Sequence, residues 1–316
     1  MGSLSLVTLY YNIQCAYPAS KRTDFLCLPR LFFKTFLLRP KQPSILLFFT
    51  LQNYKHCKDP TVTGKSPLSI VTAAVDQITL HSPVLADQDV KLCGNVTWAG
   101  RTSLEVTMTL EQKQEDTVKK LLEAQFVLVA RDPVNKNSAF VNPLQADTAD
   151  EERIMKLGEA NKMKRQEESK RSLLLMAPNE NERFLIHKLF LETIDPKAVS
   201  FKVRIKPENC VWLSSTMLKN LIICHPEQRN MYNKIFGGFL MRQAYELGWA
   251  NSFMFSQERC QLNQVDSIIF RKPVEIGALL FFSSQVVYTE GRFIQHESYF
   301  CYIGYSKDII LITKII

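Results

Sequence analysis

Between His225 and Gly238 the chain reads His-Pro-Glu-Gln-Arg-Asn-Met-Tyr-Asn-Lys-Ile-Phe-Gly-Gly, and it continues as Phe-Leu-Met-Arg-Gln-Ala-Tyr-Glu-Leu-Gly-Trp-Ala to Ala250. A polar loop thus runs into a glycine pair and then into an apolar stretch of helical periodicity. Gly237 and Gly238 let backbone approach a ligand closely, and they open a helix whose first amides lack intrahelical acceptors and carry partial positive charge. Aimed at a carbonyl oxygen, such amides form an oxyanion hole. On its own a glycine pair before a helix is as readily a tight packing turn. Glu246, about two turns into the helix, is the acid the helix offers, and without further context it reads as a solvated or ion-paired helix-face residue. His225, ahead of Pro226, reads as a capping or loop histidine.

The elements around this loop emerge from an internal repeat. Val75-Asp76-Gln77-Ile78-Thr79-Leu80-His81-Ser82-Pro83-Val84 aligns with Val265-Asp266-Ser267-Ile268-Ile269-Phe270-Arg271-Lys272-Pro273-Val274, with identities at Val, Asp, Ile, Pro and Val. The likeness continues from Val96-Thr97-Trp98-Ala99-Gly100-Arg101 to Val287-Tyr288-Thr289-Glu290-Gly291-Arg292. Two copies of one domain are expected. Each predicts a strand, a proline-marked turn, a long β-rich stretch and a Gly-Arg hairpin tip. In the first copy Thr102 to Leu110 alternates apolar and polar as a half-buried strand, and Ala124 to Ala130 supplies a solidly apolar one. In the second, Leu279 to Tyr288 is the long strand and Phe293 starts its partner. Asp76 and Asp266 are expected at strand starts, where they would stabilise a turn. Asp147 to Arg171 carries acids early and bases late and predicts a solvated linker helix. A short helix follows over Glu180 to Glu192, then a strand over Val199 to Ile205; Ile309 to Ile312 has strand character.

The loop, the Val-Asp-x-Ile strand and Lys272-Pro273-Val274-Glu275-Ile276-Gly277 together resemble the acyl-coenzyme A thioesterase hotdog domain, a long helix wrapped by an antiparallel sheet. Asn-x-x-Asn-x-Ile-Phe-Gly-Gly-x-Leu-Met, from Asn230 to Met241, is the most specific part of the match. With the tandem copy, and with Leu128-Val129-Ala130-Arg131-Asp132 and Ala139-Phe140-Val141-Asn142-Pro143 inside it, the chain is most similar to mitochondrial members of that family. The resemblance covers roughly residues 66 to 295. It implies an α+β protein of two tandem hotdog domains that hydrolyses acyl-coenzyme A to free fatty acid and coenzyme A. Sites would form between the copies, with an Asn from one and an acid from the helix of the other. Asn230 would position the thioester or the attacking water, the amides of Gly237 and Gly238 would polarise the carbonyl, and Glu246 is the candidate base or nucleophile. Asn233, Phe236 and Arg242 are the implied substrate contacts. A thiolate is a good leaving group, so little acid assistance is needed; no cofactor and no metal is expected.

The resemblance also sets the expected boundaries: an atypical N-terminal segment at 1–65, a partial first hotdog domain at 66–146, the charged linker helix at 147–178 and a second hotdog domain at 179–316, atypical after 295. Residues 1–65 show no glycine pair and no matching acid, so the first copy is read as incomplete on its N-terminal side. That departure raises a second reading, a non-catalytic hotdog protein that binds acyl-coenzyme A or pairs with full-length thioesterase subunits.

Bulk properties agree with these expectations. The chain has 316 residues, 46% of them hydrophobic, enough for two ordinary domains and a linker. Its net charge of +8 favours anionic partners, acyl-coenzyme A among them. No basic run is interleaved with aromatics and no recognition-helix or zinc-finger pattern occurs, so nucleic acid is not an expected partner. The 8 cysteines show no close metal or redox spacing and read as scattered reduced thiols. The first sixty residues are basic and acid-poor, as a mitochondrial import segment requires, though neither Ser-rich nor amphipathic. The apolar run Ser44 to Leu51 is far short of the roughly 20 residues that span a bilayer, so no transmembrane helix is expected. A homo-oligomer is expected, because altered ends leave sheet edges unpaired.

Overall fold

In a computed structural model, the described residues are 7–11, 69–85, 89–114, 117–132, 137–170, 176–195, 197, 203–230, 233–302 and 313–315. The expectations for residues 12–68, including the apolar run at Ser44, and for Ile309 to Ile312 lie outside them.

Among the described residues ten strands form one antiparallel sheet: β1 (Val7–Tyr11), β2 (Ser69–Leu80), β3 (Val90–Ala99), β4 (Ser103–Gln114), β5 (Thr117–Arg131), β6 (Leu218–Ile223), β7 (Gln264–Ile269), β8 (Leu279–Glu290), β9 (Phe293–Tyr302) and β10 (Thr313–Ile315). Among the described residues three α-helices accompany them: α1 (Ala149–Lys170), α2 (Glu180–Glu192) and α3 (Gly237–Ser256). The strand order is β1-β3-β4-β5-β2-β7-β10-β9-β8-β6. Read outward from the central β2–β7 pair, the two five-strand halves follow the same connectivity. That pair sets Val75 opposite Ile268 and Ile78 opposite Val265, so the repeated Val-Asp-x-Ile segments are the strands that weld the halves together.

Period-two patterning fixes which face is inside. On β4, Leu104, Val106, Met108 and Leu110 are buried with Leu92 of β3 and Phe126 and Leu128 of β5. On β8, Leu280 and Phe282 are buried against α3, whose Leu240, Met241, Ala244 and Gly248 line the contact. This helix ends on Gln257, which takes a left-handed conformation (φ 59°) and donates its N–H to Phe253. Among the described residues no helix is long and apolar enough to cross a membrane.

Asp76 and Asp266 stand inside β2 and β7 rather than at strand starts, because the extended run in β2 begins seven residues before Asp76, at Ser69, where pairing with β5 holds it. The strand expected over Val199 to Ile205 lies partly outside the described residues. Its described end makes only an isolated bridge, Ile194 to Arg204. The linker and short helices match their expected positions, α1 falling within Asp147 to Arg171 and α2 on Glu180 to Glu192.

Glu105 alternates with Leu104 and Val106 and so faces the opposite side of the sheet, where α1 lies. The α1 backbone rests on Trp98: a Cβ added at Gly158 would sit 2.4 Å from the Trp98 Cβ. The Trp98 indole N–H donates to Glu159 (2.7 Å), and the Lys162 ammonium stands 4.9 Å from the ring centroid. One turn on, Arg165 donates to Glu105 (2.9 Å) and to Asp76, and Asn161 donates to Glu105 (3.2 Å). A helix with almost no apolar face is thereby anchored through one ring and one buried charge network.

Candidate active site

The polar loop ahead of α3 is built by backbone pairing. Ile235 donates to Val274 (2.9 Å), Phe236 to Gln228 (2.8 Å), and Lys234 bridges to Glu275 with an ion pair between their side chains. Within the loop, Asn230 closes on Lys234 twice: its N–H donates to the Lys234 carbonyl (2.6 Å), and its side-chain oxygen accepts the Lys234 N–H (3.1 Å). Asn233 completes the turn at φ 56°, a left-handed conformation that Asn tolerates well. His225 precedes a short 3₁₀ turn, Pro226–Gln228, and its N–H is satisfied by the Gln228 side chain (2.9 Å). It has the capping place expected of it.

The helix begins without a side-chain cap, Phe236 being the N-cap. Phe239 and Leu240 both donate to the Phe236 carbonyl. Among the described residues neither the Gly237 nor the Gly238 amide has a hydrogen-bond acceptor. Two adjacent N–H groups at the positive end of a 20-residue helix are the donor arrangement an oxyanion needs. Gly237 also has a packing reason to be glycine. A Cβ there would stand 3.2 Å from the Phe270 ring, and Phe270 donates its own N–H to Ala73 of β2 (2.9 Å). No spacing rule pairs Phe270 with Gly237, so this contact between the site and the seam was invisible in the sequence.

The loop and helix start bring Asn230, Asn233, Phe236, Gly237 and Gly238 together. Arg242 and Glu246 lie farther along: nine residues of helical rise separate Gly237 from Glu246 by about 13 Å. Glu246 is exposed and accepts from Arg242 Nε (2.6 Å) and Gln243 (3.2 Å), the i,i+4 ion pair that the residue types alone suggest. Beside it Tyr245 is buried, and burial, reinforced by the Glu246 carboxylate, raises its hydroxyl pKa. Cys224, under the loop, is a buried free thiol pushed up to about 11 by burial, which makes it a poor nucleophile. Among the described residues no group of three or more His, Cys, Asp or Glu side chains could hold a metal ion.

A second buried polar cluster lies under the far end of α3. His296 Nε2 is 2.6 Å from the Ser252 hydroxyl, which itself donates to the Gly248 carbonyl (3.1 Å). The ring therefore donates through Nε2–H, and its Nδ1 is left without a partner, as is the Ser298 hydroxyl. His296 faces Val286 across the β8–β9 ladder just before a bulge; at the equivalent place in the first half Val106 faces Val96. Burial holds the imidazole down at about 4, against an ordinary 6.5. A folded-state value below the unfolded one favours the fold when the ring is neutral, and that advantage is lost as pH falls. Unfolding free energy should therefore drop by about 3 kcal/mol between roughly pH 6.5 and pH 4. His296→Val should flatten the urea-unfolding profile in that window; an unchanged slope would show that the ring is not the group responsible.

A long helix packed on an antiparallel sheet, entered through a polar loop, is the architecture of the hotdog thioesterase fold. The Thioesterase superfamily model matches residues 53–119. A crystal structure described as an oleoyl thioesterase from Lactobacillus plantarum superposes with a TM-score of 0.56 over 99% of this chain and 95% of that one, at 11% identity. The 12:0-ACP thioesterase from Umbellularia californica gives 0.54 over 98% and 92%, also at 11% identity. The chain belongs to the acyl-coenzyme A thioesterase family. It is 51% identical over 231 residues to the proteins named acyl-coenzyme A thioesterase 9, mitochondrial, of Bos taurus and Homo sapiens, covering 73% of this chain and 53% of each relative. The Mus musculus protein of the same name is 49% identical over 247 residues, 78% of this chain and 55% of its own length. The chain thus spans about half the length of the curated relatives it matches.

Proposed function

We propose that this chain hydrolyses acyl-coenzyme A thioesters to free fatty acid and coenzyme A in the mitochondrion, the compartment in the names of its relatives. The observation that carries the reading is the pair of unpartnered amides at Gly237 and Gly238, set behind the loop that fixes Asn230. The amides polarise the thioester carbonyl, Asn230 positions the thioester or the attacking water, and Asn233, Phe236 and Arg242 contact substrate. Glu246 acts as base or nucleophile, after exchanging its Arg242 partner, in a site completed by another copy, since about 13 Å of helical rise separates it from the Gly237 amide of its own chain. Two tandem hotdog domains, at 66–146 and 179–316 with the linker helix at 147–178 between them, are supported by the matching order of β2–β5 and β7–β10 about the central pair, with β1 added to the first half from outside those bounds. The first is incomplete on its N-terminal side, and the protein works as a homo-oligomer without cofactor or metal.

The exposed Glu246–Arg242 pair also favours a second reading, a non-catalytic hotdog protein that binds acyl-coenzyme A or pairs with full-length thioesterase subunits. The two are separated by incubating the purified chain with short- to long-chain acyl-coenzyme A and following free thiol. Hydrolysis is expected; a folded chain that binds these thioesters without releasing thiol would establish the second reading instead.

A further inference from the structure

The two halves of the sheet differ on their outer faces. In the first half that face is polar, with Thr97, Glu105 and Thr107, and the ion-paired helix α1 lies on it. In the second half the face that turns away from α3 is apolar toward one end, where Leu221, Ile223 and Phe281 stand, and polar beyond it at Lys219, Ser283 and Gln285. Leu221 and Ile223 of β6 alternate with the inward-facing Leu218 and Ile222, and Leu221 stands opposite Phe281 of β8. Leu221 and Ile223 are 49% and 56% exposed, and Val211, Trp212 and Leu213, leading toward β6, are between 41% and 56% exposed. Helix α2 meanwhile buries none of its residues. Its Phe184, Leu185, Ile186, Leu189 and Leu191 are 54–73% exposed, although a capping box at Asn179 and Glu182 starts the helix firmly. A 13-residue helix is marginal in water without tertiary packing.

We propose that α2 of one chain lies on the outer face of β6 and β8 in a second copy, reciprocally, in a two-fold dimer. One chain carries both an apolar helix without a seat and an apolar seat without a helix, so two copies satisfy each other and the contact closes on itself. The side chains named amount to on the order of 1,000 Å² per protomer, which meets the roughly 800 Å² per partner of a stable interface. The polar first-half face with its polar helix already shows a helix seated by matching chemistry on the outside of this sheet.

The test is the solution mass of the full chain and of two variants, Leu189→Glu on α2 and Leu221→Lys on the sheet face. Both positions are exposed in the protomer, so the fold should survive, which circular dichroism checks. Wild type is expected to associate in a concentration-dependent way and each variant to be monomeric. Mixing the two variants should restore the dimer, since one contact is then wild type and the other pairs Glu with Lys. A monomeric wild type at high micromolar concentration overturns the proposal. So does association that survives in either variant, or a mixture that stays monomeric.

Discussion

Arg165→Met should destabilise the fold by about 3–5 kcal/mol, the range for removing one partner from a buried charge network. Arg165 reaches across from α1 to Asp76 and Glu105, and its side chain and theirs are only 24%, 19% and 2% exposed. Methionine keeps the length and apolar stem but leaves both carboxylates facing one another, with Glu105 retaining only Asn161 (3.2 Å) and the Thr97 hydroxyl (3.4 Å). Asp76 gives the effect a pH signature. Burial raises its carboxyl pKa above the ordinary 3.8; Arg165 opposes that rise, and the Glu105 and Asp266 charges add to it. A carboxyl group with a raised folded-state value favours the fold when protonated and penalises it as pH climbs through that value. Without Arg165 the penalty grows, so the deficit measured by urea unfolding should be greatest at neutral pH and shrink in acid. Asp76→Asn added to Arg165→Met should recover part of it. A neutral result would mean that α1 is held by Trp98 alone; Gly158→Ala, which thrusts a Cβ into that ring's own Cβ, probes that end of the contact.

Asn230→Ala should reduce kcat/KM for acyl-coenzyme A hydrolysis on the order of 10²-fold or more, the usual effect of removing a polar group that stabilises the transition state. The side chain has two jobs in the proposed site, which a second substitution separates. Its oxygen accepts the Lys234 N–H and so shapes the loop, whereas in the proposed mechanism its NH₂ is the donor to the thioester or the water. Asn230→Asp preserves an oxygen for Lys234 while removing the NH₂. Both variants should be equally slow, with only the alanine variant loosening the loop, as hydrogen exchange at Lys234 and Ile235 would report. Full rate in Asn230→Asp would confine the residue to loop shaping and move the chemistry elsewhere.

Much of the fold was written in short windows of sequence. The alternation of Leu104, Val106, Met108 and Leu110 specifies a strand and its buried face within a few residues, and acids early and bases late specify α1. The repeated Val-Asp-x-Ile segments mark two equivalent places in the chain. The motif from Asn230 to Met241 located a loop, a glycine pair and a helix start, because a turn, its left-handed Asn and an uncapped helix are all local features. The pairing of Glu246 with Arg242 follows likewise from i,i+4 spacing.

What the chain's sequence could not state was which distant residues meet. Arg165 stands 89 residues from Asp76 and 60 from Glu105, and no periodicity connects them. Ser252 and His296 belong to different elements whose contact exists only once α3 lies on the β8–β9 ladder. Phe270 came into view as the reason for Gly237 only when β7 paired with β2 and carried its ring under the helix start. Sequence by itself thus determined the helices, the alternating strands such as β4 and the loop with its two glycines, though not β1 or β6, since those features are decided by propensity and spacing within a dozen residues. Tertiary structure alone decided which polar groups are buried, which charges they meet and which apolar faces remain uncovered, because burial and partnership are properties of packing between segments far apart in the chain.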